Sequence, residues 1–187
     1  MGVIRAVIGL GNPGERYERT RHNVGFRVVE HLAGAQDWKQ FQKGLGRFAR
    51  RGPLFLAEPL TYMNEAGRFA QAFAAFYKIA PEDILIISDD IALDFGRLRL
   101  RLEGSAGGQK GMQSVIDCLG TQGIPRLRVG IGPQPAGVDS ADFVLRRFSS
   151  AEARGLAEVI EQAGAAALTA VEDGVDAAMN RFNAASP

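Results

Sequence analysis

The chain of 187 residues is long enough for one domain with a proper core, and its 46% hydrophobic and 23% charged residues are typical of a globular protein. The single cysteine, Cys118, excludes a disulfide framework and a thiol-based metal site, and no apolar run approaches the roughly 20 residues that span a bilayer. The net charge of +1 conceals a basic amino-terminal third, since residues 1–60 carry ten Lys and Arg against five Asp and Glu, which favours a localised anionic partner.

The predicted elements begin at once with an apolar strand at 3–10, so we expect no signal peptide, no membrane association and a cytoplasmic location. The first half continues, in chain order, with a polar loop at 11–23, a helix at 24–34, a loop at 36–46, a strand pair at 47–58 and a helix at 65–78. The apolar face of that last helix is predicted to comprise Phe69, Ala72, Phe73, Phe76 and Tyr77. The second half begins with a buried strand at 84–87, an alternating strand at 97–102, a glycine loop at 104–111, a helix at 112–119 and a strand at 126–132. A capping box at Ser149 and Glu152 then predicts a long helix to about Phe182, with a break near Gly174.

The alternation of strands and helices predicts an α/β fold, a single-domain three-layer sandwich over residues 1–187 with a mostly parallel mixed central sheet flanked by helices. In such sheets, ligands bind beyond the carboxyl ends of the strands. Polar loops at 11–23, 61–65 and 88–94 are predicted to meet there, with the glycine loop nearby. We expect residues 133–150 to form a mobile lid.

The sequence Gly-Leu-Gly-Asn-Pro-Gly at 9–14 matches the dinucleotide-binding fingerprint in form only. That fingerprint needs a packed helix directly after the turn, whereas residues 15–21 have no apolar face and Pro13 removes an amide donor. A nucleotide-binding oxidoreductase is therefore the weakest functional interpretation. The glycine loop is not a phosphate loop of the Walker type either, because Gly111 follows Lys110 where Ser or Thr is needed.

His22 lies in the first polar loop, and Asp89 follows a neighbouring predicted strand. A histidine held by a carboxylate can act as a general base with a fixed tautomer. The alternative is a histidine that bonds only locally, a structural role that we expect for His31. Ser88 and Ser105 lack the sequence of a nucleophile elbow, and two histidines without a cysteine cluster predict neither a metal site nor a cofactor. Base-activated water is the simplest remaining chemistry.

Asn12 and Asn64 each occupy a corner at the end of a predicted strand. Two amides can orient a substrate carbonyl and donate to the oxyanion that forms when water attacks it. The alternative is that both asparagines only tolerate unusual backbone angles in turns. Tyr17 and Tyr62 offer faces on which a base or an extended chain can stack.

The alternating strand at 97–102 carries three arginines on one face, and a fourth lies on the next strand. Such a row is suited to phosphate binding, although a solvated sheet face is the alternative for any one member. The row comprises Arg97, Arg99, Arg101 and Arg128.

These motifs, in this order, resemble the bacterial peptidyl-tRNA hydrolase family over residues 3 to about 148. The shared motifs are Gly-Leu-Gly-Asn-Pro-Gly at 9–14, Thr-Arg-His-Asn at 20–23, Pro-x-Thr-Tyr-Met-Asn-x-x-Gly at 59–67, Asp89-Asp90, and Gly-Ser-Ala-Gly-Gly-x-x-Gly at 104–111. The resemblance implies a metal-free enzyme that cleaves the ester between a peptide and the 3′ ribose of tRNA, recycling tRNA from stalled translation. Its partner would be peptidyl-tRNA. We expect a monomer with no obligate protein partner, because the sequence shows no obvious apolar stripe.

By the same resemblance, His22 is the base that activates water and Asp89 holds it in its basic form. Asn12 senses the blocked amino end of the substrate, and Asn64 binds near the scissile ester. The resemblance also places six residues against the substrate or the tRNA: Tyr17, Tyr62, Met63, Arg99, Arg101 and Arg128.

The chain departs from the family pattern in the glycine loop and at Ser88, where the family usually has a histidine. Gln109-Lys110 stands where the family usually has His-Asn, and we expect Lys110 to bind the substrate through its charge. This departure leaves open a non-catalytic RNA-binding protein, like the plant organellar relative that assists intron splicing. The retention of His22 with Asp89 favours the enzyme.

Overall fold

The computed structural model describes residues 2–183. Its strands are β1 (Ala6–Gly9), β2 (Lys39–Phe41), β3 (Gly46–Arg51), β4 (Leu54–Pro59), β5 (Ile84–Asp94), β6 (Leu98–Arg101) and β7 (Arg126–Gly132). Its α-helices are α1 (Val24–Ala33), α2 (Ala66–Tyr77), α3 (Lys110–Leu119), α4 (Ser140–Val144), α5 (Ser150–Glu172) and α6 (Val175–Phe182). Among the helices of this described part, none is long and apolar enough to cross a membrane.

The strands form one mixed sheet in the order β2-β3-β4-β1-β5-β7-β6. Its centre is parallel, since β1 pairs with β4 and β5, and β5 pairs with β7. The outer pairs β2–β3, β3–β4 and β6–β7 are antiparallel. The apolar runs of β1 and of the first half of β5 are buried on both faces, as central parallel strands require. The alternating Leu and Arg of β6 suit a strand at the sheet edge.

Helices cover both faces of the sheet and enclose two hydrophobic cores. Helices α1, α5 and α6 pack on the face that includes Val7, Leu85 and Leu127. Helices α2 and α3 pack on the other face, against Ile8 and Ile86. Because successive strand residues point to opposite faces, neighbours such as Val7 and Ile8 belong to different cores. The prediction of a three-layer α/β sandwich with a mostly parallel mixed sheet is confirmed.

Two aromatic residues differ from the sequence prediction. Residues 39–41 form a strand rather than a loop, because the buried Phe41 ring packs 5.7 Å from Phe69 and 5.1 Å from Phe73 on α2. Phe76, predicted to share the apolar face of α2, is 64% exposed. Both errors arise because contacts between distant elements, rather than local sequence, decide which rings are covered.

Strand β5 is longer than the apolar run at 84–87 predicts. It continues to Asp94 because β7 remains paired with it, with Asp89 opposite Val129 and Asp90 opposite Gly130. Helix α3 begins at Lys110, two residues earlier than predicted. The predicted break in the carboxyl-terminal helix is confirmed, since Gly174 separates α5 from α6.

Candidate active site

A cleft of about 550 Å³ opens where β1 and β5 end, and it collects the loops that the sequence predicts to meet. Its walls come from the His22 loop, the corner after β4, the second half of β5 and the glycine loop. A fifth wall is helix α4, through Ser140, Ala141 and Val144, followed by Leu145. The predicted convergence of segments 11–23, 61–65, 88–94 and 104–111 on one site is confirmed, although residues 88–94 form the second half of β5 rather than a loop.

The imidazole of His22 lies against the carboxylate of Asp89. Nδ1 of His22 is 2.8 Å from Oδ2 of Asp89, and the two residues are only 9% and 2% exposed. Within the described residues, Nε2 of His22 has no hydrogen-bond partner, while the ring lines the cleft. This geometry fixes the proton on Nδ1 and leaves Nε2 as the basic nitrogen.

Close packing of α1 on the strand ends delivers His22 to this position. A side chain on Gly25 would collide with the carbonyl oxygens of Leu10 and Ile87, so only glycine lets the helix approach β1 and β5 so closely. His22 belongs to the 3₁₀ turn Arg21–Asn23 directly before α1. The glycine that follows Thr-Arg-His-Asn-Val is therefore part of what brings the histidine to the carboxylate.

Asn12 is held by hydrogen bonds on both its backbone and its side chain. Its N–H donates to Asn23 Oδ1 and its carbonyl accepts from Asn23 Nδ2, both at 2.9 Å. Its own Oδ1 accepts the N–H of Met63 at 2.7 Å. Nδ2 therefore remains as a donor beside the cleft, and no partner for it lies within residues 2–183. The turn-asparagine alternative does not apply to Asn12 or Asn64, because neither has a positive φ.

Three exposed side chains, those of Tyr62, Asn64 and Lys110, line the mouth of the cleft. In the described part of the chain, neither Asn64 nor Lys110 has a side-chain hydrogen bond or an ion pair. Met63 is buried between them and also lines the cleft. The residues predicted to bind substrate near the ester are thus brought together here.

The remaining predicted tRNA contacts lie outside the cleft, except for Arg128. Tyr17 is half-buried in its loop, with the guanidinium of Arg16 stacked 4.4 Å from the ring centre. Arg99 on β6 stands opposite Arg128 on β7, which places both on one face of the sheet edge. Arg101 lies two residues further along β6 on the same face.

The arginine row is less uniform than the sequence indicates. Arg97 precedes β6 and is not part of the strand. Arg128 forms an ion pair with Asp90, so part of its charge is already balanced. Of the predicted row, Arg99 and Arg101 have no ion pair within the described residues.

Arg126 has a supporting role beside the site that the sequence interpretation missed. It is 3% exposed, and its guanidinium donates to the carbonyls of Gln122, Ile124 and Ser105 at 2.8, 2.8 and 3.0 Å, and also contacts that of Gly104. Burial and the neighbouring Arg128 lower the pKa of Arg126. Arg126 precedes Arg128 by two residues and therefore shares its face of the strand, which was the only signal in the sequence. The carbonyls that it bonds lie in loops, whose positions the sequence does not predict. Arg126 holds the glycine loop in place.

Arg21 was also missed, and it anchors helix α4 beside His22. Its N–H donates to the carbonyl of Arg146 at 3.0 Å, and its guanidinium donates to the carbonyl of Arg147 at 2.6 Å and to Glu152 at 2.7 Å. The same guanidinium stacks 4.5 Å from the ring centre of Phe143. The carboxyl-terminal end of the segment predicted as a lid is therefore tied to the residue before the histidine.

A second buried carboxylate, Glu58, lies at the end of β4 outside the cleft. Its Oε2 accepts from Nε of Arg47 at 2.6 Å, and Arg47 also donates to Glu30 at 2.7 Å. Oε1 of Glu58 has no partner among residues 2–183. Burial raises the pKa of Glu58 to about 7, although Arg47 opposes this shift and Glu30 adds to it.

The described residues contain no group of three or more His, Cys, Asp or Glu side chains placed to hold a metal ion. The candidate site instead consists of a histidine–aspartate pair, two asparagines and a cationic rim around one cleft. Such a set of side chains has the chemistry needed for base-assisted attack of water on a carbonyl group.

Comparison with known proteins shows which family this chain resembles. The family model described as peptidyl-tRNA hydrolase matches residues 6–187. The peptidyl-tRNA hydrolase of Elusimicrobium minutum is 47% identical over 186 residues, covering 97% of this chain and 100% of that protein. That of Chloroflexus aggregans is 45% identical and covers 95% and 97%, respectively.

The fold comparison agrees. The crystal structure of peptidyl-tRNA hydrolase from Acinetobacter baumannii superposes with a TM-score of 0.91 at 35% identity, covering 100% of this chain and 98% of that one. The family model and the relatives each cover nearly the whole sequence. The chain belongs to the peptidyl-tRNA hydrolase family.

Proposed function

We propose that this protein hydrolyses the ester that joins a peptide, or an N-blocked amino acid, to the 3′ ribose of tRNA. Family membership supports the substrate, since the relatives are named peptidyl-tRNA hydrolase. The observation that carries the proposed chemistry is the 2.8 Å contact between His22 Nδ1 and Asp89 Oδ2 in a cleft that both asparagines also line.

The first step is the activation of water by His22. Nε2 takes a proton from a water molecule in the cleft while the oxygen attacks the ester carbonyl carbon. The imidazolium that forms is stabilised by the carboxylate of Asp89 on Nδ1. Asp89 can hold this role without solvent, because it is 2% exposed and both of its oxygens accept hydrogen bonds.

The second step is the collapse of the tetrahedral intermediate. The free Nδ2 of Asn12 and the exposed amide of Asn64 are the donors for the substrate oxygens at and near the carbonyl. As the carbonyl reforms, the bond to the ribose 3′ oxygen breaks, and that oxygen takes the proton from His22. The products are a free carboxylic acid at the end of the peptide and a free 3′ hydroxyl on the tRNA.

Binding of tRNA is assigned to the rim and to the adjoining sheet edge. Lys110 and Tyr62 meet the end of the tRNA at the cleft mouth, with Met63 beneath them. Arg99, Arg101 and the partly balanced Arg128 provide the charge for phosphates beyond it. Tyr17 is the proposed contact on the other loop.

We further propose that the chain acts as a single domain without an obligate protein partner, with residues 133–150 as its lid. Helix α4 supports this assignment because it forms one wall of the cleft. The anchor through Arg21 limits any lid motion to the part that precedes Phe143.

The test is the release of free tRNA from an N-acetylated aminoacyl-tRNA. His22→Ala is expected to lower kcat about 10²- to 10⁴-fold, the usual contribution of a general base. His31→Ala, which changes the exposed histidine on α1, is the matched control and should leave kcat unchanged. Binding of the tRNA without hydrolysis by the wild-type protein would contradict the enzyme and support the non-catalytic RNA-binding alternative.

A further inference from the structure

Gln109 joins the catalytic pair, the glycine loop and helix α3 through one side chain. Its Oε1 accepts the N–H of Met112 at 2.6 Å, which caps the first turn of α3. Its Nε2 donates to Oδ1 of Asp89 at 3.0 Å and lies 3.3 Å from Sδ of Met63. The two ends of the amide therefore serve different parts of the molecule.

The orientation of this amide follows from its neighbours. The backbone N–H of Met112 requires an acceptor, and the Asp89 carboxylate requires a donor. Turning the amide over would place NH₂ against an N–H and oxygen against a carboxylate. Nε2 consequently faces Asp89.

Asp89 depends on this donor for the oxygen that His22 does not use. Oδ2 faces Nδ1 of His22, and Oδ1 has Gln109 as its side-chain donor among residues 2–183. With Asp89 only 2% exposed, loss of that donor would leave a buried carboxylate oxygen without a partner. The carboxylate would then be free to rotate away from the imidazole.

We infer that Gln109 is a positioning residue that acts through Asp89, fixing the rotation of the carboxylate so that Oδ2 stays on His22. This inference rests on the proposed function. An amide cannot lose its proton in the physiological range, so the outer hydrogen bond to Asp89 persists at every pH at which the protein works. The departure from the family's usual histidine at this position thus retains a donor while removing a titrating group.

Two variants separate the donor from the helix cap. Gln109→Glu keeps an oxygen for Met112 but places a second oxygen against Asp89, whereas Gln109→Met removes both donor and acceptor at similar length. Both are expected to lower kcat about 10- to 100-fold, the range that loss of an outer hydrogen-bonding partner costs at metal sites, with KM within about twofold. Gln162→Met makes the same substitution on the exposed face of α5, where the amide bonds only to Glu158, and should leave kcat unchanged.

The rescue variant and a spectroscopic signal complete the test. Gln109→His restores a donor and should return kcat to within about threefold of wild type. In proton NMR, the Nδ1 proton of His22 should give a downfield resonance that is absent in His22→Ala and shifted in Gln109→Met, while the signals of His31 stay in place.

A Gln109→Met protein that keeps both its kcat and the downfield resonance overturns the inference. If instead the wild-type protein releases no tRNA, the proposed function fails, and the resonance of His22 still decides whether Gln109 positions the pair.

Discussion

The floor and the rim of the cleft differ in how their polar groups are held. At the floor, His22, Asp89 and Asn12 are buried and hydrogen-bonded to other side chains or to the backbone. At the rim, Asn64 and Lys110 are exposed, and neither has a side-chain partner in the described part of the chain. The floor is preorganised for a reaction, and the rim is open to a ligand. Changes at the floor should therefore act on kcat, and changes at the rim on KM.

The largest effect is expected from Asp89→Asn, which replaces the carboxylate that His22 bonds at the floor of the cleft. The amide can present NH₂ to Nδ1 of His22, which stabilises the wrong tautomer and leaves the imidazolium without its counter-charge. We expect kcat to fall about 10³- to 10⁴-fold in the tRNA-release assay, with little change in KM. Asp94→Asn, an exposed carboxylate at the end of the same strand, is the control. Equal activities of the two variants would remove Asp89 from the mechanism.

The next effect concerns Glu58, a buried carboxylate that has fewer donors than the floor provides for Asp89. Its pKa of about 7 in the folded protein lies above the ordinary value of 4.5, so the folded state binds more protons between these pH values. The free energy of unfolding should therefore fall by up to about 3 kcal/mol as the pH rises from 4.5 to 7. Glu58→Gln should lose this contribution. The free energy of unfolding of the wild-type and Glu58→Gln proteins is measured by chemical denaturation across this pH range. If the two curves run parallel, the pKa of Glu58 is not raised in the folded protein.

Asn12→Asp tests the donor of the floor while keeping its scaffold. An aspartate oxygen can still accept the N–H of Met63, but the free Nδ2 donor is lost. We expect kcat to fall about 100-fold, as for the loss of one oxyanion donor, with the fold retained by circular dichroism. Asn180→Asp on the exposed face of α6 is the matched control. A change confined to KM would place Asn12 with the rim.

How far the sequence predicts these regions depends on the range of the interactions. Continuous apolar runs and one alternating run predicted the main strands, and polar residues after the runs predicted the cleft, because these are local patterns. The short strand β2 could not be predicted, since it depends on Phe41 meeting rings of α2 that lie about 30 residues further along the chain.

The same limit applies within the site. His22, Asp89, Asn12 and Asn64 carry recognisable chemistry, and the structure places all four around one cleft. The supporting roles of Arg21 and Arg126 could not be read from the sequence, because the side chain of Arg126 donates to backbone carbonyls and that of Arg21 donates to one carbonyl and to Glu152, 131 positions along the chain. Every residue offers a carbonyl, so sequence alone does not identify which one a guanidinium will meet.

At the sheet edge, Arg99→Ala should weaken binding without changing chemistry. Arg99 has no ion pair within residues 2–183 and lies beside Arg128. We expect KM to rise about fivefold. In a plot of log KM against log salt concentration, the slope should decrease by about 1, as expected for the loss of one phosphate contact. Arg154→Ala on α5 provides an exposed arginine on the opposite layer as control. An unchanged salt slope would assign Arg99 to the solvated surface.

The smallest effect is expected at Lys110, which replaces an amide of the family with a mobile charge. Lys110→Asn should raise KM about threefold and leave kcat within about twofold. Lys43→Asn is the matched control, because Lys43 is exposed and has a positive φ of 52°, a conformation that asparagine accepts. Identical kinetics and tRNA affinity in both variants would remove Lys110 from the binding site.

Because of Arg126, the backbone at the start of the glycine loop is held without help from the side chains of the loop. The guanidinium fixes the loop through oxygens of the main chain, which no substitution at a neighbouring position removes. Residues that face the substrate from this loop can therefore be exchanged while the path of the backbone persists. A protein built in this way can alter what it recognises at position 110 while the main-chain path before it is kept by Arg126.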